Sequence, residues 1–507
     1  MSPRPQGRSR ILEAIMDHVG VDAQPLTIED LLAAVGGAEL RLGDTARARI
    51  AAGRALIDEA LVSGVPVYGL TTNVGHGKDQ RIRREELERQ QQMLVATHGG
   101  AFGPPLPQDV VRAAMAVRVN GMAQGGSGAS LAAATTLVSM LNAGVHPVLP
   151  ATGSIGAADI GHMAGIAQVA VGAGAARYDG ETLPGGEALR RAGIPPLRLK
   201  GKDGLALISA NGVSVGHGAI VVGHAARVAD AADEAAALSL EATGGNPSVV
   251  LPAVGRAKPY PGQIAAAAHV LDLLQGSRLL EAAGPRSVQD ALSFRVVPQV
   301  HGALREFLTV TRRAVEVELN SASDNPLADV GSGTVISNGN FHPMVMAVSF
   351  DALRVALVHA GQLSERRMSH LWNAVMGALQ QGPPPQATGP ASLPGVQLRY
   401  AASASFTALR LLAEPATLDS TVLDGGIEDH ATGAVLTVRR TEEAVGLLAD
   451  ILAIEVLLAV DLLDLSSPVR LGGGATRAAE LAHGAAAGAA SAAEVHRRLR
   501  EGFPSVQ

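Results

Sequence analysis

No cysteine occurs in the 507 residues, which excludes disulfides and thiolate metal sites. Aromatic residues are nearly as scarce: seven Phe, four Tyr and one Trp leave the core to Leu, Val and Ala, a composition suited to close helix packing. The formal net charge is −6, and Lys and Arg are dispersed apart from Arg4, Arg8 and Arg10. No basic face for nucleic acid results. The N-terminus has no apolar signal-type segment, and the most apolar late stretch, Ile451 to Leu463, is interrupted by Glu455 and Asp461. A cytoplasmic address with no membrane partner is therefore expected. The 15 histidines include no H-E-x-x-H or comparable ligand spacing, so no metal is expected. Gly125-Gly126-Ser127-Gly128 lacks the lysine and the strand-to-helix setting of a P-loop, and Gly77-Lys78 is followed by Asp79 rather than Ser or Thr.

What is present is mainly helical. Ala219 to Ala242, Phe350 to Trp372, Ser403 to Ala413 and Thr432 to Leu463 carry periodic apolar faces, whereas strand-like alternation is scarce. Three consecutive prolines in Gly382-Pro383-Pro384-Pro385 mark a loop running through Pro394-Gly395. Gly472-Gly473-Gly474 sets off an alanine-rich tail, and no internal repeat is visible.

Short motifs follow one another from about Leu26 to about Leu465. Val67-Tyr68-Gly69 is followed by Thr72 and Gly75; then come Thr97-His98-Gly99, Gly126-Ser127-Gly128 and Leu141-Asn142-Ala143-Gly144-Val145-His146-Pro147. Gly204 to Gly212, Val288 to Arg295 with Pro298-Gln299-Val300-His301-Gly302, Glu318 to Leu327, Gly339-Asn340-Phe341-His342 and Glu428-Asp429-His430 continue the series. In this order they resemble the aromatic amino acid ammonia-lyases. The resemblance implies an elongated helical bundle of the ammonia-lyase type, akin to aspartase and fumarase, assembled as a homotetramer with sites shared between chains. It also suggests a division into an N-terminal tail (1–25), a lyase-like region with a lid loop (26–210), a long-helix bundle (211–470) and a C-terminal tail (471–507).

One segment departs from that family. Gly153-Ser154-Ile155-Gly156-Ala157-Ala158-Asp159-Ile160 resembles G-S-V-G-A-S-G-D-L, whose Ala-Ser-Gly cyclises and dehydrates into the electrophile 4-methylideneimidazol-5-one. Here the serine is Ala158, which has no β-oxygen to lose, and pairing Asp159 with the family's aspartate leaves the glycine deleted. Ala157, Ala158 and Asp159 thus form a degenerate prosthetic-group segment, and no cofactor is expected.

The resemblance assigns roles to other residues. Tyr68 corresponds to the tyrosine that removes the substrate β-proton, although a loop tyrosine is ordinarily only a cap over a core. A phenol needs a lowered pKa to act as a base, for which His76 and Lys78 are nearby candidates. Arg295 corresponds to a bidentate clamp on the substrate carboxylate, and Asn211 to its companion; a structural salt bridge and a helix cap are the plain alternatives. Glu428 matches a proton-transferring glutamate of the histidine-acting branch, Phe341 a wall residue and His98 a ring-recognising position. A second family tyrosine is Leu292 here, and the glutamine before the glutamate is Ile427.

Two functions fit these residues. The first is a lyase-type enzyme, catalysing elimination, isomerisation or cyclisation of an amino-acid-like substrate with a polar ring and needing no electrophile. The second is a catalytically silent relative that binds a ligand or partner. The surviving base, clamp and acid favour the enzyme.

Overall fold

The computed structural model describes residues 17–281, 284–381, 389–418 and 421–502. Two compact units emerge, each assembled from separate stretches of chain. The first comprises residues up to 220, Arg312–Val348 and Ala416–Arg439; the second comprises Val221–Thr311, Ser349–Pro415 and the chain from Arg440 onward. The linear division at 210/211 suggested by the motifs differs from this partition because both units gather segments distant in sequence.

The helices expected from periodicity are present as Gly212–Thr243, Met344–Gln381, Pro394–Leu411 and Ala434–Asp464; the third stops short of Ala413 and the fourth starts after Thr432. A further long helix spans Val297–Leu319. Strands are short. His18–Val21 pairs in parallel with Glu39–Leu42, and Ala175–Tyr178 lies between His146–Pro147 and Glu181–Pro184. The fold is mainly α.

In the first unit the helix Gln108–Ala123 is buried along most of its length. Its Arg118 guanidinium donates to both carboxylate oxygens of Asp324, at 2.8 and 3.2 Å. Lys202, also fully buried, donates to the carbonyls of Ser127 and Pro326 at 2.8 Å each. Burial lowers the Lys202 pKa to about 8. The Ser127 and Asp324-Asn325-Pro326 motifs therefore meet around one buried charge cluster, and their place is in the scaffold.

The second unit has an apolar core that includes Leu240, Val270, Leu273, Phe294 and Val297. The two acids that interrupt the apolar run of Ala434–Asp464 both have partners here. Glu455 receives the Arg367 guanidinium at 2.6 and 2.9 Å and the Ser239 hydroxyl at 2.6 Å. Asp461 accepts from the Val396 amide at 2.8 Å, capping the helix that starts at Pro394. Gly395 permits this approach, since a Cβ there would lie 2.2 Å from the Leu458 nitrogen.

Three expectations about irregular chain change. Residues 382–388, which include the proline run, lie outside the described residues, but the chain is already helical at Pro394, because proline's fixed φ suits the first helical position. The C-terminal tail forms the helices Gly473–Ala486 and Ala492–Gly502, as its alanine content favours. Within the segment assigned as an N-terminal tail, His18–Val21 is a strand.

Burial raises the Asp461 pKa to about 7. A carboxyl whose folded pKa is raised supports folding fully below its unfolded pKa and loses that support as pH rises through the folded value. Asp461→Asn, which keeps an oxygen for the Val396 amide, is expected to gain stability over the wild type between pH 4 and pH 7.5. The gain is at most about 4 kcal/mol at the upper end, from ~1.4 kcal/mol per pKa unit. Urea unfolding across that pH range measures it, and a constant difference between the two proteins would contradict the assignment.

Candidate active site

The first unit holds Tyr68, His98, Asn211, Phe341, Glu428 and the Ala157–Asp159 segment; Arg295 belongs to the second. Tyr68 is half-buried in a turn whose backbone is held from behind by Gln91, a fully buried residue. The Gln91 amide donates to the Gly69 carbonyl at 3.2 Å and accepts from the Leu205 amide at 2.9 Å. Gln91 stands in a polar helical run where nothing in the sequence sets it apart. The Tyr68 hydroxyl accepts from the Gly75 amide at 3.1 Å. Burial raises the phenol pKa; the Gly75 hydrogen bond opposes that rise, and the charges of Glu428 and Asp424 add to it.

The degenerate segment is tightly committed. Ala158 sits in the left-handed region at φ 55°, unusual for a residue with a Cβ. Its amide donates to the Phe341 carbonyl at 3.0 Å, and the Asp159 amide donates to the Ala210 carbonyl at 2.8 Å. The Asp159 carboxylate is fully buried. One oxygen takes the Ser154 hydroxyl at 2.9 Å, and the other takes the Ser214 amide and hydroxyl at 2.8 and 2.9 Å. Asp159 thereby caps the helix that begins at Gly212. The stretch Gly212-Val213-Ser214-Val215-Gly216 has the G-x-S-x-G spacing of a serine-hydrolase elbow. Ser214, however, is buried inside a helix and its hydroxyl is given to Asp159.

Asn211 does not act as that cap. Its Nδ2 donates to the Phe341 carbonyl at 3.0 Å, while its Oδ1 is buried with no partner among the described residues. A buried acceptor without a partner calls for an explanation, which a ligand or an ordered water at this position would supply. His98 donates from Nδ1 to the Leu94 carbonyl at 2.8 Å, which leaves Nε2 as an acceptor suited to a ring N–H or O–H. The Phe341 carbonyl thus serves both Ala158 and Asn211, and the next residue, His342, contacts Nδ1 of His430 through Nε2 at 2.8 Å.

Glu428 lies on the turn that follows Asp424–Gly426, bridged back to Leu423. Burial raises its pKa, and Asp424 and Asp429 push the same way. Among the described residues no cation pairs with it. Of the lid candidates, His76 is engaged with Asp424, its Nδ1 lying 2.7 Å from Oδ1. Lys78 pairs with its neighbour Asp79 in solvent and does not tune Tyr68.

In the second unit, Arg295 ends the short helix Leu292–Arg295. Phe294 anchors that helix in the core, and Arg367 donates to the Ser293 carbonyl at 3.2 Å. Arg295 is half-buried and has no carboxylate partner among the described residues of its unit, so the salt-bridge alternative finds no support. Among the described residues, one cluster has metal-ligand character: Asp230, Asp233 and His269 bring ligand atoms within 4.8 Å of one another. Arg305 Nη2 already lies against both of those carboxylates, at 2.7 and 2.5 Å.

The family model described as aromatic amino acid lyase matches residues 26–485. The chain belongs to that family. A histidine ammonia-lyase from Caldanaerobacter subterraneus subsp. tengcongensis is 38% identical over 466 residues, 91% of each chain. Among solved structures, the ergothioneine-degrading enzyme ergothionase from Treponema denticola, in complex with desmethyl-ergothioneine sulfonic acid, matches with a TM-score of 0.89 at 25% identity. That match covers 96% of this chain and 99% of that one. Histidine ammonia-lyase from Trypanosoma cruzi matches with a TM-score of 0.84 at 30% identity, covering 96% and 95%. The fold is that of these lyases, and the protein is a lyase-family enzyme.

Proposed function

We propose that this lyase works without methylideneimidazolone, on an amino-acid derivative with a polar ring whose α-nitrogen is a quaternary ammonium. The observation that carries the first half is the Ala158–Asp159 turn. Residue 158 offers no hydroxyl, the amides of both residues are given to carbonyls, and the Asp159 side chain is occupied as a helix cap. These residues do not fit the prosthetic group.

Without an electrophile to draw on the amine, the substrate must carry a group that leaves unaided. A quaternary ammonium does so as a neutral amine, needing no proton. The site favours such a charge: Glu428 and Asp424 act on Tyr68, neither Glu428 nor the Asn211 Oδ1 has a cationic partner among the described residues, and Glu428, Asp424 and the Asn211 Oδ1 are all negative or negatively polarised. A fixed positive charge beside them would bring the Tyr68 phenol down toward ionisation. Tyr68 as phenolate takes the β-proton; the C–H pair becomes the new C=C bond, and the C–N bond breaks with its electrons leaving on the amine. His98 Nε2 holds the ring, and the family resemblance assigns the substrate carboxylate to Arg295. The matched ergothionase acts on a compound of this type, since ergothioneine is a histidine betaine. The homotetramer suggested by the resemblance is proposed as well, because helix Val297–Leu319 leaves Phe307, Val310 and Val317 exposed, and Met344–Gln381 leaves Val345, Val348 and Val355 exposed.

Purified protein is expected to release trimethylamine from ergothioneine or another aromatic amino-acid betaine, with growth of the conjugated acrylate absorbance, and to release no ammonia from histidine, phenylalanine or tyrosine. Its intact mass is expected to equal the encoded mass. Urocanate formed from histidine, or a mass short by two waters, would overturn the reading. A protein that binds the betaine without consuming it would be the silent relative instead.

A further inference from the structure

The lid turn that carries His76 brings two consecutive amides to two different acceptors. In the 3₁₀ turn Gly75–Gly77, the Gly75 N–H donates to the Tyr68 hydroxyl at 3.1 Å and the next N–H, that of His76, donates to Asp424 Oδ2 at 2.9 Å. The other Asp424 oxygen meets His76 Nδ1 at 2.7 Å. One carboxylate therefore grips both the backbone and the ring of the residue that follows the Tyr68 donor. Gly75 is in the left-handed region at φ 60°, and a Cβ there would lie 2.1 Å from Asp424 Oδ2. The close approach of Asp424 is thus built into the choice of residue at position 75.

We propose that Asp424 is a positioning residue for Tyr68: by fixing the Gly75–Gly77 turn it aims the Gly75 amide at the Tyr68 oxygen, a donor that strengthens as the phenol gives up its proton. This rests on the reading of Tyr68 as the base. The alternative is an ordinary surface contact. His76 is largely exposed and Asp424 about one-third exposed, and such a pair adds little to folding. A role confined to stability would therefore leave almost no trace, whereas a positioning role leaves one at Tyr68.

The test compares Asp424→Asn with Asp424→Ala. Both remove the charge, but only asparagine keeps an oxygen for the His76 amide. In hydrogen exchange, the peptide covering residues 74–77 is expected to exchange on the order of tenfold faster in the alanine variant and near the wild-type rate in the asparagine variant. Alkaline ultraviolet titration reads Tyr68 directly, because the protein has four tyrosines and a Tyr68→Phe background can be subtracted. The Tyr68 midpoint is expected to lie higher in Asp424→Ala than in Asp424→Asn. On a betaine substrate, alanine should lower kcat about tenfold with KM little changed, and asparagine should recover most of the loss. Equal midpoints, or unchanged exchange in the alanine variant, would overturn the proposal. Both measurements need no substrate, so they decide the role of Asp424 even if no betaine is turned over and the functional reading fails.

Discussion

Tyr68→Phe is expected to lower kcat on a betaine substrate by about 10²- to 10⁴-fold, the range for loss of a general base, while leaving KM nearly unchanged. The ring and its packing stay; only the hydroxyl that Gly75 touches is lost. The pH profile adds a sign. Burial and the acids around Tyr68 raise its pKa in the free enzyme, so kcat/KM should still be climbing at alkaline pH, and the Tyr68→Phe variant should lose that limb. Arg295→Lys differs in kind. It keeps the charge but loses the two-pronged fork, so KM should rise while kcat falls. If Tyr68→Phe turned substrate over at the wild-type rate, another base would have to be sought, with Glu428 first in line.

The second large effect concerns folding. Glu455→Gln is expected to destabilise the protein by about 3–5 kcal/mol, the cost of leaving one charge of a buried pair without its partner. Arg367 and Glu455 are both fully buried, and Arg367 alone also holds the Ser293 carbonyl. Replacing both together, Arg367→Met with Glu455→Leu, should restore most of the loss. Yet the double variant should bind the substrate carboxylate poorly, because the Ser293 turn leads into Arg295. Urea unfolding gives the first comparison and KM the second; a double variant with wild-type KM would show that the turn stands without Arg367.

How much of this could be read from residues alone depends on the distance over which each interaction acts. The long helices were visible because alanine and leucine declare themselves locally by period, and Glu455 and Asp461 were visible as interruptions of such a run. Their partners, Arg367 and the amide of Val396, were not, since no local pattern links position 455 to 367 or 461 to 396. The site behaved likewise. Tyr68, His98, Asn211, Phe341 and Glu428 stand in recognisable motifs, and the structure gathers them into one unit. The residues that hold them, Gln91 and Asp424, carry no motif, and His76 became intelligible only once Asp424 was seen beside it. Conversely, Ser127, Asp324 and Pro326 lie in motifs that invite a functional reading, but they surround the buried Arg118 and Lys202.

The turn at Ala158 also bears on how such a protein could arise. In the chain as it stands, Asp159 joins Ser154 to the start of the helix at Gly212 through a carboxylate out of reach of water. On the proposed reading this junction is complete without any modified residue, and no self-processing reaction precedes maturation. An ancestor that lost both the serine and the neighbouring glycine would, on this reading, have left a folded vessel in which a substrate bearing its own leaving group could still react.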